Sequence, residues 1–246
     1  MNKISVITGV LTCLMVLLAA LGAVCGAIDQ MAAKEDFYGG MSRAAVMKHL
    51  NVENDPQVST KITEYIGLTD EEQDAFAGEM AAFMRGETGM QPEILSEKER
   101  QHMRDVRSLT QRAAQTSKTC MTLAAVLAVV IAWMGAKLKR VLPRIIGALA
   151  AVTLMAVCAA GVMHAVSAGQ FEALFVNMHE MLFTNDLWLM DPATDILIRM
   201  MPQQLFEQAL ADVVSLAVRM VVIVIAMLLA VMISVERMLR QHVTKD

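Results

Sequence analysis

The sequence predicts an all-α membrane protein, with four transmembrane helices and a mostly helical extracytoplasmic domain. Three observations carry this. Hydrophobic residues make up 56% of the 246-residue chain, and they gather into blocks long enough to cross about 30 Å of hydrocarbon as helices. Lys and Arg concentrate in short flanks of those blocks, which sets orientation in a bilayer. The polar stretches between the blocks carry helix-capping signals.

The first block, Ile4–Ala27, is 24 residues long, beyond a usual signal-peptide apolar region, and no A-x-A site closes it. Its end, LGAVC, has Val24 where a lipobox has a small residue, so the block is expected to be an uncleaved anchor. The other three blocks are 118–135, 145–167 and 213–235. The loop 136–144 holds Lys137, Lys139, Arg140 and Arg144 and no acid, and the tail 236–246 holds Arg237, Arg240 and Lys245. With Lys3 before the first block, these flanks place both termini in the cytoplasm. The segments 28–117 and 168–212 are then extracytoplasmic. The first has 16 acids against 10 bases, and the second has seven acids against Arg199 alone. A multi-pass protein of the cell membrane results, with its polar mass at the outer leaflet. The formal net charge of −4 gives no general affinity for nucleic acid.

Within 28–117, TDEEQDAFAGEMAAFMRG opens with Thr69 and Glu72 at capping-box spacing. Phe76, Met80, Phe83 and Met84 follow as one apolar stripe, and Gly86 is the expected stop. SEKERQHMRDVRSLTQRAAQ repeats the signal with Ser96 and Glu99, and its helix can run straight into the second span. His102, Asp105, Val106 and Leu109 share one face of it. In 168–212, FEALFVNMHEMLF makes a stripe of Phe171, Leu174, Phe175, Met178 and Leu182, with His179 at its border. Trp188 suits the headgroup level. DPATDILIRMMP is expected to be a short helix with Asp191 as N-cap, Pro192 first and Pro202 beyond the end.

Chemistry-bearing residues are few. The four cysteines, Cys13, Cys25, Cys120 and Cys158, fit buried free thiols. Neither a CxxC pair nor zinc-ligand spacing is visible, so no metal or cofactor is implied. Among five histidines, His242 lies in the tail, His49 ends a short helix, and His164 lies just inside the third block. His102 and His179 differ: both lie on outer amphipathic helices, beside carboxylates and apolar stripes. Arg219 stands seven residues into the fourth span counted from Asp212, an intramembrane cation and so a candidate for substrate contact. Met80, Met84, Met178 and Met181 could line an acyl-chain groove or pack an ordinary core. A G-x-S-x-G elbow and an S-x-x-K pair are missing. A covalent nucleophile is therefore not evident.

Three blocks together resemble a known family. They are YIGLTDEEQDAFAGEMAAFMRGE, SEKERQHMRDV and FVNMHEMLFTNDLWLMDPATDILIRMMPQQLFEQAL. They are similar to the signature segments of a bacterial four-span integral membrane family that includes the lipoprotein intramolecular transacylase Lit. The matching positions are Glu99, His102, Met103, Asp105 and Val106, then His179, Glu180, Phe183, Asn185, Trp188, Asp191, Pro192, Pro202 and Phe206. Met178 departs from the pattern, where an aromatic residue is usual.

The resemblance implies transfer of the sn-2 O-acyl chain of a diacylglyceryl-cysteine to that cysteine's α-amine, giving an N-acyl lyso-form lipoprotein. It implies catalytic roles for His102 and His179, and Asp105, Glu180, Asn185, Trp188 and Arg219 are the expected supporting or substrate-binding residues. Asp105, one turn from His102, is placed to orient that imidazole. Glu180 lies about 100° further from the stripe and is expected to face solvent. Partners would be a diacylated lipoprotein and membrane lipid; the sequence leaves the oligomeric state open and is compatible with a monomer. Two other classes fit the residues alone: a non-enzymatic membrane protein with a partner-binding outer domain, and a metal-dependent outer-leaflet hydrolase.

Overall fold

The computed structural model describes residues 3–89, 92–137, 142–167 and 169–219, with 222, 223 and 226. Among these residues every regular element is a helix. In order they are α1 (Lys3–Ala32), α2 (Glu35–Tyr38), α3 (Gly40–Leu50), α4 (Val58–Ile66), α5 (Asp70–Arg85), α6 (Glu97–Lys137), α7 (Leu142–Ser167), α8 (Phe171–Leu182) and α9 (Ile196–Met200). A tenth, α10, is helical over 203–219. The chain divides into two compact units. One is built from 1–27, 113–163 and 214 onward, the other from 28–112 and 164–213.

The first unit is apolar outside and small-residued inside. Its core packs Met15, Val16, Ala19, Ala124, Ala128, Ile131, Ala132 and Ala151. A Cβ on Gly147 would run into the Gly9 carbonyl, so α7 and α1 approach closely there because neither has a side chain. Ser117 donates its hydroxyl to the Gly22 carbonyl at 2.7 Å, tying α6 to α1. Cys158 is exposed rather than buried, which suits an apolar environment but departs from the expectation of four buried thiols.

Among the described residues two helices, against the four spans expected of the whole chain, are long and apolar enough to cross a membrane: α1 and α6. In α6 the apolar part begins near Lys118. In α7 the apolar stretch among the described residues is Ala151–His164, shorter than a span. The expected fourth span, 213–235, is described only to 219 and at 222, 223 and 226. Most of it, the tail 236–246 and loop residues 138–141 lie outside the described residues.

The second unit has the opposite pattern. Its core holds bulky side chains, among them Tyr38, Ile62, Ile66, Phe76, Met80, Leu95 and Met200. Thr69 caps α5 through the full reciprocal box with Glu72, and Gly86 closes it in the left-handed conformation at φ 82°. Met80 and Met84 are core residues here, not groove lining. The short helix α9 starts later than expected, with Asp195 rather than Asp191 at its N-cap. Asp191 instead accepts the Ala193 N–H two residues on, at 2.9 Å, and closes a turn.

Candidate active site

The site lies within the second unit and starts from the first turns of α6. Ser96 and Glu99 form a capping box, with Ser96 N–H donating to Glu99 Oε2 at 2.7 Å and Glu99 N–H to Ser96 Oγ at 3.3 Å. Glu99 is buried, and its Oε1 accepts the Leu197 N–H at 2.7 Å. One carboxylate therefore caps α6 and holds the start of α9. Its neighbour Lys98 donates to the Leu189 carbonyl at 2.5 Å and to Asp195 Oδ2 at 3.1 Å. Asp105 Oδ2 accepts from Asn185 Nδ2 at 3.1 Å. Residues 98, 99 and 105 lie on the face that carries His102. The face bearing that imidazole thus also holds the segment 185–197 in place.

Helix α8 supplies the second imidazole. Its buried side is Phe171 and His179, with Phe175 between them, at i, i+4 and i+8. His179 is only 6% exposed, while Met178 at 42% and Met181 at 78% face outward. The sequence stripe centred on Leu174 and Met178 is thus rotated, and the border histidine is the one that goes inside. The reason is aromatic packing. The His179 ring lies 4.0 Å from Phe175, 4.9 Å from Trp188 and 5.5 Å from Phe183, centroid to centroid. Phe206 on α10 closes the cluster 5.4 Å from Phe175. The rings of His102 and His179 are stacked at 6.1 Å and 28°, and Phe183 touches both.

The two histidines are electronically distinct. His179 Nδ1 lies 2.8 Å from the Phe175 carbonyl. A carbonyl only accepts, so Nδ1 carries the proton and Nε2 the lone pair. Burial lowers the His179 pKa, and the bond to Phe175 opposes that shift. His102 is 7% exposed, and its Nδ1 is buried without a hydrogen-bond partner. Its pKa is pushed down to about 4, chiefly by burial and secondarily by His179, against the pull of Asp105. Both imidazoles are neutral at pH 7. His179 can accept a proton at Nε2.

Most of the expected residues converge and some do not. His102, His179, Asp105, Asn185 and Trp188 meet in one cluster. Asp105 is not bonded to the imidazole it was expected to orient, and its oxygens accept from Asn185 and, at 3.4 Å, Gln101. Glu180 is exposed, as its position beyond the stripe predicts. Arg219 belongs to the other unit and bonds Ser215 through Nε and Nη2, at 3.3 and 2.9 Å. Lys98, Glu99 and Asp195 carry the scaffold and were not singled out as site residues. Of the three only Glu99 carried a signal, in its capping-box spacing and its place in the resemblance. Among the described residues, no three His, Cys, Asp or Glu side chains group closely enough to hold a metal ion.

Residues 13–206 match the family model for the lipoprotein intramolecular transacylase Lit. The fold is shared with a solved structure of the membrane-integral Lit transacylase from Bacillus cereus. The TM-score is 0.63 and the identity 18%, over 94% of this chain and 98% of that one. A variant of the Bacillus cereus protein with a histidine replaced by arginine matches at TM-score 0.56 and 15% identity, over 95% and 94% of the two chains. No curated protein sequence gives a significant match. With the family model spanning most of its length, this chain belongs to the lipoprotein intramolecular transacylase Lit family.

Proposed function

We propose that this protein moves the sn-2 acyl chain of a diacylglyceryl-cysteine lipoprotein onto the α-amine of the same cysteine, with His102 and His179 as the catalytic residues. The observation that carries the proposal is the buried stack of two neutral imidazoles with His179 Nε2 left as a base. The α-amine of the substrate has a pKa of about 7.7–8.0, so most of it is protonated at pH 7 and only about a tenth to a sixth is free to attack. As the N–C bond forms at the ester carbonyl, the amine proton becomes acidic and passes to His179 Nε2. His102 donates from its neutral ring to the oxyanion, as a neutral imidazole can. Collapse breaks the carbonyl–O bond at sn-2, and that oxygen takes the proton held by His179. The products are an amide and a free sn-2 hydroxyl, with no net proton change. Because nucleophile and ester share one molecule, proximity is largely supplied by the substrate and an acyl-enzyme is unnecessary.

The rest of the site has supporting roles in this reading. Asp105 and Asn185 fix the segment that brings Trp188 over His179. Glu180 stays in solvent, and Arg219 of the fourth span contacts the substrate. We further propose four spans, 4–27, 118–135, 145–167 and 213–235, with both termini cytoplasmic and the site at the outer leaflet. The Lys/Arg asymmetry supports this, as does the compact unit formed by 28–112 and 164–213. Mass spectrometry of N-terminal lipopeptides from cells with and without the protein tests the function. N-acyl lyso-lipoprotein should form only in its presence and vanish with His179→Ala. An unchanged lipopeptide profile would reject the transacylase reading.

A further inference from the structure

The segment 183–195 has neither helix nor strand, yet it carries Trp188, the ring that lies 4.9 Å from His179. Something other than backbone regularity must hold it still. Local turns contribute: Leu187 N–H donates to Asn185 Oδ1 at 3.1 Å, and Leu189 N–H donates to the Asp186 carbonyl at 3.1 Å. These bonds shape the segment without fixing it to the rest of the unit. Asn185 ties its start to α6 by donating to Asp105 Oδ2 at 3.1 Å, and the stretch after Trp188 is attached by Lys98. Its ammonium binds the carbonyl of Leu189, the residue after Trp188, and Oδ2 of Asp195. That same Oδ2 accepts the Asp191 N–H at 2.8 Å. Both ends of 189–195 therefore converge on one charge. Lys98 itself stands one helical turn before His102 on α6.

An exposed Lys–carboxylate pair is worth little. This one differs on its acidic side, because the Asp195 side chain is only 7% exposed. Without the ammonium, the buried Asp195 carboxylate loses its countercharge and keeps the Asp191 N–H, and the Leu189 carbonyl loses its side-chain donor. We propose that Lys98 is a positioning residue that clamps 189–195 and so keeps Trp188 seated on His179 and His179 aligned with His102. The proposal rests on the active-site reading for its effect on turnover, but not for its effect on Trp188.

The test uses full-length detergent-purified protein with Trp133→Phe, which leaves Trp188 as the only tryptophan. Acrylamide quenching of Trp188 should increase in Lys98→Met, return towards the parent value in Lys98→Arg, and stay unchanged in Lys61→Met, which removes a distant exposed pair with Asp55. In the lipopeptide assay, Lys98→Met should lose turnover on the order of 10²-fold, the scale of a misplacement of about 1 Å. Should Lys98→Met fail to fold, Asp195→Asn keeps an acceptor for the Asp191 N–H and should show a smaller rise in quenching. Parent-like quenching in the folded variant, or in Asp195→Asn where that is the one that folds, overturns the clamp. A rise in quenching with no lipoprotein conversion by the parent would uphold the clamp and reject the transacylase function.

Discussion

The two units of this chain differ in the mixture they bury: among the described residues alanine makes up five of the eight core residues of the apolar unit and four of the 21 of the other. In the apolar unit, Ala19, Ala124, Ala128 and Ala132 are inside, while Val10, Val126, Trp133 and Val157 are exposed. In the unit that holds the histidines, Tyr38, Phe76, Met80 and Met200 are inside and carboxylates dominate the outer surface. The contrast follows from solvent. In water, large apolar side chains are driven inward in proportion to their area. In hydrocarbon that drive vanishes, and close backbone approach through small residues takes over. Buried polar groups sort in the same way. The apolar unit buries Thr12, satisfied by its own helix at the Thr8 carbonyl. The other buries Glu99 and Asp195 with polar partners from distant parts of the chain, and His102 and His179 as rings stacked on one another across the chain. A polar site can be assembled only where such partners are available.

The largest expected effect is chemical and confined to the second unit. His102→Ala and His179→Ala should each lower lipoprotein conversion by about 10²–10⁴-fold, the usual worth of acid–base help. Membrane abundance should stay near normal. Because the pair acts as one unit, the double variant should be little worse than the weaker single. Lipopeptide mass spectrometry reads all three. Wild-type conversion by either single variant would mean that the stacked imidazoles are packing and not machinery.

Acid should separate the units next. The native pKa of His102 is about 4, below its unfolded value of about 6.5, so between those values the unfolded chain binds a proton that the native chain refuses. The His102 contribution to stability therefore falls as pH drops below about 6.5 and levels off below about 4. The loss from His102 is about 3 kcal/mol, with His179 adding in the same direction. The apolar unit has no histidine among its described residues. Unfolding followed at Trp188 should thus move to lower temperature in acid while Trp133 holds. His102→Gln should flatten the Trp188 dependence, and an unaltered slope would show that His102 is not buried neutral.

Packing in the apolar unit can be broken at one glycine and spared at another. Gly147→Ala forces a Cβ into the Gly9 carbonyl, whereas the same change at Gly161 meets nothing within 4 Å. We expect Gly147→Ala to cost about 1–3 kcal/mol and lower membrane abundance. Gly161→Ala should be silent or slightly stabilising. Equal abundance of the two variants would contradict the close approach of α7 and α1.

How much of this was legible beforehand depends on sequence separation. The capping boxes Thr69–Glu72 and Ser96–Glu99 and the Gly86 stop are contacts within a few residues, so spacing alone revealed them. The continuous α6 follows from an unbroken helical pattern. By contrast, Asp195, the residue at the α9 N-cap position, is bound by Lys98 97 positions away. Asp105 meets Asn185 across 80 positions and not His102. The buried face of α8 is chosen by rings from α6 and from the segment after α8, which no periodicity within α8 could report. The histidines were visible as residue types beside apolar stripes. Their stacking was not.

The smallest effect compares one residue type in the two settings. Thr69 Oγ1 accepts the Glu72 N–H at 3.3 Å, and that N–H lies in the first turn of α5, where no helical carbonyl can reach it. Thr69→Val keeps the shape and removes the acceptor, so it should cost roughly 1 kcal/mol, a normal N-cap loss. Thr12 instead donates to the Thr8 carbonyl at 2.8 Å, inside a helix. That oxygen already faces the backbone N–H four residues on, so Thr12→Val orphans nothing and adds a methyl group where a hydroxyl was. Its cost should stay within about 0.5 kcal/mol, in line with the small worth of polar contacts between apolar helices. Thermal unfolding of the two variants gives the comparison directly. A larger loss at Thr12 than at Thr69 would mean that its hydroxyl bonds a second helix, and that the apolar unit is held by more than close packing.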